Sequence, residues 1–313
     1  MTKHLIDWKP DNLFWGYFDA NTPPVLKVAS GDEVVMNCLP ACLPSDLPPD
    51  GSGVLSDHIL AMEKHQSNRG AGPHMLTGPV FVEGAEAGDV LQVDILEAKP
   101  VQNWAFTAIL PLLGALPDEF TDYEHLHISV DRDAMTCTLP WGLTLPLDPF
   151  FGIMAVAPPK EWGRIGTPEP RAFGGNMDNK ELKPGTTLYL PVFNEGALFS
   201  AGDGHGRQGD GEVCIAAVET ALSGSFRLTV RKDMSLETPF AETPQNLISM
   251  GFDEDLDEAM RKAVRDMINL VVSRGSLSRN QAYMLLSLAG DLRITQVVDG
   301  EKGVHMLMRK DWL

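Results

Sequence analysis

The densest group of chemically active side chains lies in residues 202–212, which read Gly-Asp-Gly-His-Gly-Arg-Gln-Gly-Asp-Gly-Glu. Five of these eleven residues are glycine, which permits close backbone approach and lets polar side chains converge on one point. Asp203, His205 and Glu212 are residue types that bind divalent cations and exchange protons. We therefore predict a metal-binding or catalytic loop here rather than a plain surface turn.

Two further segments carry side chains that could join the same centre. Residues 171–181 contain Gly-Gly-Asn at 174–176, which is typical of a tight turn, and then Asp178. The Asp178 carboxylate could reach a shared metal or cap a short helix. Residues 70–79 place His74 between a proline and the start of an apolar strand. His74 is a candidate ligand or general base, or a structural residue.

Histidine and cysteine also occur at other suggestive spacings. His58 and His65 lie seven apart on a predicted helix, and His125 and His127 lie two apart on a predicted strand. The two side chains of each pair would lie on the same face of their element. His125 and His127 therefore indicate either a second metal site or an exposed polar strand face. Cys214 is either a thiol nucleophile or a small buried hydrophobe.

The elements that must position these groups are mainly strands. Apolar residues that alternate with polar ones, as at Leu91, Val93 and Ile95, predict half-buried strands. The 29 glycines and 23 prolines among 313 residues exceed average usage and indicate many turns. Strands are predicted at 25–28, 31–36, 79–82, 91–95, 127–130, 136–139, 188–193, 198–200, 226–230 and 292–294.

The C-terminal quarter has a different pattern. Apolar residues at helical spacing run from Asp253 to Arg274, with acidic residues in the first turn. Ser278 and Gln281 form a capping box that opens a second helix, which ends at Gly290. The sequence thus predicts a mainly β protein, one domain over 1–313, with a small helical subregion at about 253–290.

Charge and composition exclude several classes of partner and location. The net charge of −18, from 43 acidic and 25 basic residues, disfavours nucleic acid and anionic membranes. No stretch approaches the ~18 apolar residues of a membrane span, and the N-terminus lacks the apolar core of a secretory signal. Four cysteines in a chain of this length do not suggest a disulfide framework. We therefore predict a cytoplasmic protein.

Three stretches of the chain resemble the acetamidase/formamidase family. They are residues 72–100 (GPHMLTGPVFVEGAEAGDVLQVDILEAKP), 173–220 (beginning FGGNMDNKELKPGTTLYL) and 286–306 (LSLAGDLRITQVVDGEKGVHM). The resemblance implies a β-sandwich-like body, a dimer or higher homo-oligomer, a divalent metal and hydrolysis of a linear amide to a carboxylate and ammonia. Residues 101–170 depart from the family pattern, which leaves formamide, acetamide, aryl amides and lactams open as substrates.

Amide hydrolysis needs an activated water, a stabilised oxyanion and an acid for the departing nitrogen. A divalent cation supplies the first two, and a neighbouring carboxylate can carry the proton. Zinc is the expected cation, with calcium as a second ion. The predicted metal shell is Asp178, Asp203, His205 and His74. The predicted acid–base residue is Glu212, with Asp210 as its substitute, and the predicted donors to the amide oxygen are Asn176 and Gln208.

Two other functions remain open from the residues alone. One is a metal-independent amidase that uses Cys214 as its nucleophile. The other is a β protein that binds a small molecule without catalysis. The clustering of acid–base side chains in residues 202–212 disfavours the second, because binding alone does not require it.

Overall fold

Short stretches of alternating polarity fold into 21 strands, and only three segments form α-helices. The computed structural model describes residues 1–313. The strands are β1 (Lys3–Ile6), β2 (Leu13–Trp15), β3 (Tyr17–Phe18), β4 (Leu26–Val28), β5 (Asp32–Cys38), β6 (Met75–Val82), β7 (Val90–Pro100), β8 (Trp104–Ile109), β9 (Glu124–Asp131), β10 (Thr136–Thr138), β11 (Thr144–Pro146), β12 (Phe150–Ala155), β13 (Ile165–Gly166), β14 (Gly174–Asn176), β15 (Thr187–Pro191), β16 (Phe199–His205), β17 (Leu222–Arg231), β18 (Phe240–Glu242), β19 (Asn246–Asp253), β20 (Asp291–Gln296) and β21 (Lys302–Arg309). The helices are α1 (Ser56–His65), α2 (Leu256–Arg274) and α3 (Arg279–Ala289).

Two large sheets form the body of the protein. The first has nine strands in the order β1-β5-β17-β7-β15-β18-β19-β21-β20. The second has the order β14-β12-β16-β6-β2, and β4 also pairs with β6. A four-stranded sheet, β11-β10-β9-β8, and a two-stranded pair, β13-β3, complete the framework. The prediction of a mainly β fold is confirmed.

The main hydrophobic core lies between the two large sheets. Phe226 of the nine-stranded sheet packs edge-on against Phe151 and Phe199 of the second sheet, with ring centroids 5.3 Å and 5.6 Å away. All three rings are fully buried. The two inner faces therefore interlock as in a β-sandwich, as the family resemblance implied.

The two C-terminal helices pack beside strands β19 and β21. The Asp255 side chain caps α2 by accepting from the backbone N–H groups of Asp257 and Glu258. The predicted capping box at Ser278 and Gln281 is present at the start of α3. Gly251 allows α2 to approach β19, because a Cβ there would collide with the Ala259 carbonyl. None of the three helices is both long and apolar enough to cross a membrane.

Two local predictions were wrong. Residues 202–205 are not loop but the end of β16, and residues 174–176 are strand β14 rather than a tight turn. Gly202 and Gly204 pack so closely on Leu76 and on the Thr220 carbonyl that a Cβ would not fit at either position. These glycines therefore serve close strand packing, and the loop begins only after His205.

Candidate active site

One cavity of about 500 Å³ collects most of the polar residues that the sequence singled out. The second sheet forms one wall, and the loop after β16 forms another. The predicted residues that line this cavity are His74, Asn176, Asp178, Asp203, His205 and Glu212. Three segments that lie far apart in the sequence thus meet at one place.

Strands β14, β12 and β16 lie side by side and deliver the acidic side chains. Asp203 and His205 are two apart on β16, which places both on the same face of the strand. Asp178 follows the end of β14, and its backbone N–H donates to the Gly152 carbonyl of β12 at 3.2 Å. Pairing of these strands therefore fixes the separation of the two carboxylates.

Gly152 on β12 provides the space in which these carboxylates meet. A Cβ at this position would lie well inside the 3.0 Å that real Cβ atoms keep, both from Asp203 Oδ2 and from Asp178 Oδ1. It would also lie 3.0 Å from His205 Cε1. No residue with a side chain can occupy this position without moving the carboxylates.

His205 stands between two groups of carboxylates, one at each ring nitrogen. Its Nε2 lies 3.1 Å from Asp203 Oδ2 and 3.3 Å from Glu219 Oε1. Its Nδ1 lies 3.8 Å from Asp178 Oδ1. The Phe150 ring meets the imidazole edge-on at 5.0 Å and keeps it in place. One imidazole therefore links both groups.

The residues fit a divalent cation. Asp178, His205 and Glu212 form one buried group that could hold a metal ion, and Asp203, His205 and Glu219 form another; within each group the ligand atoms lie within 4.8 Å of one another. Cations with bonds of ~2.0–2.6 Å can join atoms at such distances after small movements. Asp178 Oδ1, His205 Nδ1 and Glu212 Oε2 are buried without any hydrogen-bond partner. Buried ligand atoms that lack partners are what a cation would satisfy.

The carboxylates perturb one another strongly. Burial, followed by the Asp178 carboxylate, raises the pKa of Glu212 well above its usual range. Burial and Asp203 raise the pKa of Asp178 to about 7, against the opposing charge of His205. Burial would lower the pKa of His205, but Asp203 and Glu219 raise it well above its usual value. The cluster therefore requires positive charge, whether from protons or from a cation.

His74 approaches the same cluster from the position just before β6. Its Nδ1 lies 2.8 Å from Thr167 Oγ1, which leaves Nε2 as the nitrogen available to a ligand. Burial, followed by the positive charge of His205, lowers the pKa of His74, although Asp203 opposes this. A neutral imidazole is the form that coordinates a metal.

Three acids of the cavity occupy strained backbone conformations. Asp178, Asp203 and Glu212 have φ angles of 47°, 57° and 47°, in the left-handed region. Only eight non-glycine residues of the chain have positive φ, and three of them are these acids. Such strain persists where surrounding structure enforces it, and it gathers at functional sites.

Two predicted residues lie apart from the cavity wall. Asp210, the predicted substitute for Glu212, is partly exposed and forms an ion pair with Lys180 at 2.9 Å. The side chain of Gln208 is turned away from the cavity, and its Nε2 donates to the Asp178 backbone carbonyl at 2.8 Å. The backbone turns at Gly211, whose φ is 96°, so Asp210 and Glu212 point in different directions although they are only two residues apart.

The cysteine and histidine alternatives also lie elsewhere. Cys214 contacts Thr107 Oγ1 at 3.7 Å and does not line the cavity. His58 pairs with Cys42 Sγ at 3.4 Å, and His65 Nε2 lies 2.7 Å from the Pro10 carbonyl. The rings of His125 and His127 lie 4.4 Å apart on β9, also outside the cavity lining.

Sequence reasoning missed four acids of the cavity, Asp46, Glu169, Glu219 and Asp299, and two of them, Glu219 and Asp299, interact with the carboxylate cluster. Glu219 reaches His205 because its backbone bridges to that residue between β16 and β17. Asp299 lines the cavity from the turn after β20. The local signals for these two acids were weak. Glu219 follows an apolar run, and Asp299 lies in the C-terminal stretch that carries the family resemblance.

The sequence that builds this fold and cavity matches a known protein family. The profile of the Acetamidase/Formamidase family matches residues 13–165 and 163–308. The chain belongs to this family, and the resemblance drawn from the sequence is confirmed.

Particular relatives show how close the similarity is. The chain is 30% identical over 198 residues to an acetamidase of Mycolicibacterium smegmatis, covering 45% of this chain and 49% of that protein. It is 26% identical over 278 residues to a formamidase of Methylophilus methylotrophus, covering 72% and 66%. The chain thus spans about half to two thirds of the curated relatives it matches. A solved acetamidase of Bacillus halodurans has a TM-score of 0.84 at 30% identity and covers 100% of this chain and 98% of that one.

Proposed function

We propose that this protein is an amidase that hydrolyses the C–N bond of a linear, non-peptide carboxamide to a carboxylate and ammonia. The observation that carries the proposal is the buried group Asp178, His205 and Glu212, whose unpartnered ligand atoms lie in the wall of one cavity. Family membership supports the same reaction, since the named relatives include an acetamidase and a formamidase.

The proposed cofactor is a divalent cation held by Asp178, Asp203, His205 and His74. Zinc is the proposed identity, because imidazole and carboxylate groups are its usual ligands. The excess of carboxylates beside it suits calcium as a second ion. When bound, such a cation makes a water more acidic and polarises a carbonyl oxygen.

Glu212 is the proposed acid–base residue. Its carboxyl group lines the cavity, and its Oε2 has no partner. It can therefore take a proton from the attacking water as the new C–O bond forms, and deliver that proton to the nitrogen as the C–N bond breaks. The immediate products are the carboxylic acid and ammonia, and transfer of the acid's remaining proton to ammonia leaves a carboxylate and ammonium, so atoms and protons balance.

Two amide side chains receive different roles. Asn176 lines the cavity and is the proposed donor to the amide oxygen of the substrate. Gln208 is a positioning residue, because its hydrogen bond to the backbone carbonyl holds the Asp178 turn. Asp210 receives no role in the reaction, since its carboxylate pairs with Lys180.

Glu212→Gln tests the acid–base role, with Asp210→Asn as the matched control. We expect Glu212→Gln to retain metal and to lose a factor of ~10²–10⁴ in kcat, the usual contribution of such a residue. The control should stay within about threefold of the wild type, since exposed ion pairs contribute little. Ammonia release and metal content are measured for both. Full activity with full metal content in Glu212→Gln would overturn the assignment, and loss of metal would place Glu212 among the ligands.

A panel of amides and lactams, with and without chelator, tests the reaction itself. We expect ammonia release that disappears on chelation and returns with zinc. Activity that persists without metal would contradict the metal-dependent reaction. Binding without ammonia release from any compound would indicate a binding protein.

The remaining expectations are that the protein is cytoplasmic, consists of one domain and forms a homodimer or higher homo-oligomer. The four free cysteines support the first, since disulfides are rare in the cytosol, and the family resemblance supports the last. Light scattering measures the subunit number. A single cooperative unfolding transition would support one domain per subunit.

A further inference from the structure

The cavity is much larger than a short amide requires. Its volume is about 500 Å³, in the range of ~300–1,000 Å³ that buries drug-sized ligands. An amide such as acetamide takes about the space of two or three waters, each of ~30 Å³. A substrate of that size would leave most of the cavity to solvent.

The additional space has an apolar wall. Phe106, Ala108 and Leu110 line it from β8 and from the residue that follows this strand. They are spaced two apart and therefore share one face. Ile215 and Ala216, just beyond Glu212, also line it. A chain attached to the amide carbonyl would thus pass from the carboxylate cluster onto apolar side chains.

The cavity carries acidic charge without any basic counterpart. Seven carboxylates and two histidines line it, and no lysine or arginine does. Three of these carboxylates, Asp46, Glu169 and Asp299, lie outside the cation-binding groups. Asp46 is held by the Leu43 backbone N–H at 2.7 Å and by the Tyr123 hydroxyl at 3.2 Å. Beside Asp46 and Glu169, a second carboxylate on the substrate would be desolvated with no lysine or arginine side chain to pair with it.

We infer that the substrate is the amide of a monocarboxylic acid with a large apolar acyl group, alkyl or aryl, and that monoamides of dicarboxylic acids are excluded. This inference rests on the proposed amidase function. The apolar wall supplies the affinity for the acyl group, and the acidic lining supplies the exclusion. Each buried methylene raises kcat/KM about fourfold.

A substrate series tests the inference on the zinc-loaded enzyme. The series is acetamide, butyramide, hexanamide and phenylacetamide, together with 4-methylpentanamide and its near-isostere succinamate. We expect kcat/KM to rise at least tenfold from acetamide to phenylacetamide. We expect succinamate to be at least a hundredfold poorer than 4-methylpentanamide. Acetamide equal to phenylacetamide, or succinamate equal to its isostere, would overturn the inference.

Calorimetric titration separates this inference from the proposed function. If phenylacetamide binds at least tenfold more tightly than acetamide but neither releases ammonia, the apolar wall stands and the amidase proposal fails. If ammonia is released but the two compounds bind and react equally, the amidase proposal stands and this inference fails.

Ala108→Phe fills the apolar wall, and Ala134→Phe on the exposed hairpin is its matched control. We expect Ala108→Phe to lower the ratio of kcat/KM for phenylacetamide to that for acetamide at least tenfold. The control should leave this ratio unchanged. Leu110→Ala shortens an apolar side chain of the wall and therefore cannot cause overpacking. Because it removes apolar contact with the acyl group, it should lower the same ratio about three- to tenfold. An unchanged ratio in both wall variants would overturn the inference.

Discussion

Gly152→Ala is the smallest change that tests the geometry of the carboxylate cluster. The added methyl group would lie far closer than 3.0 Å to Asp203 Oδ2 and to Asp178 Oδ1. Gly152 itself has an ordinary backbone conformation, since its φ is not in the left-handed region. The effect of the substitution is therefore steric, and it acts on two proposed metal ligands together.

The magnitude follows from the distances. The two carboxylate oxygens must withdraw by roughly 0.7 Å or more, which exceeds the ~0.5 Å within which a functional site must be held. A displacement of ~1 Å can cost ~10² in rate, so we expect a loss of about 10² in kcat/KM. Overpacking costs ~1–3 kcal/mol, and in a large domain this lowers Tm by about 2–4 °C per kcal/mol.

Three measurements decide the outcome: metal content after dialysis, ammonia release and thermal unfolding. Gly209→Ala is the matched control, because nothing lies within 4 Å of a Cβ at Gly209 and its φ is not left-handed. The control should keep its metal and activity and match or slightly exceed the wild type in stability. A Gly152→Ala protein with full metal content and activity within twofold of the wild type would refute the steric reasoning.

Three other outcomes are expected. Burial lowers the pKa of His305 to about 4, below its unfolded value of ~6.5. Between these two values the unfolded state binds more protons, so the free energy of unfolding falls as the pH drops from 6.5 to 4, by up to ~1.4 kcal/mol per pH unit. His305→Gln should flatten this pH dependence in urea unfolding, and an unchanged slope would contradict the assignment. Cys214→Ala should keep activity within about twofold, because its thiol does not line the cavity; ammonia release abolished by this change would restore the thiol mechanism. Phe226→Ala should lower the free energy of unfolding by ~3–5 kcal/mol. Phe120→Ala, at a ring that is 50% exposed, should lower it by less than 1 kcal/mol. Equal losses would show that the packing of rings between the sheets does not stabilise the body of the protein.

The parts of the fold that depend on local pattern were predictable. The apolar spacing of residues 253–274 and the capping box at Ser278 gave both C-terminal helices, since caps and periodicity act within a few residues. The strand that carries Leu91, Val93 and Ile95 was equally evident. The order of the strands in the sheets was not predictable, because strands such as β5 and β17 pair across more than half of the chain.

The candidate site was predictable in part for the same reason. Asp203, His205 and Glu212 lie close together in the sequence, and Asp178 followed from its glycine-rich context. Glu219 and Asp299 carry no local signal of comparable strength, because only the meeting of distant strands brings them to the cavity. That Glu212 lines the cavity and its predicted substitute Asp210 does not depends on Gly211 and its positive φ, a detail that composition does not reveal.

The unbalanced acidic lining has a consequence for turnover. A neutral amide meets seven carboxylates and no basic side chain in this cavity without net repulsion. The proposed reaction would convert that ligand into an anion, which a cation in the cluster would attract and which Asp46 and Glu169, outside the cation-binding groups, would repel. The two outer carboxylates would therefore favour departure of the product once it leaves the cation, a force that a neutral amide entering the cavity does not meet.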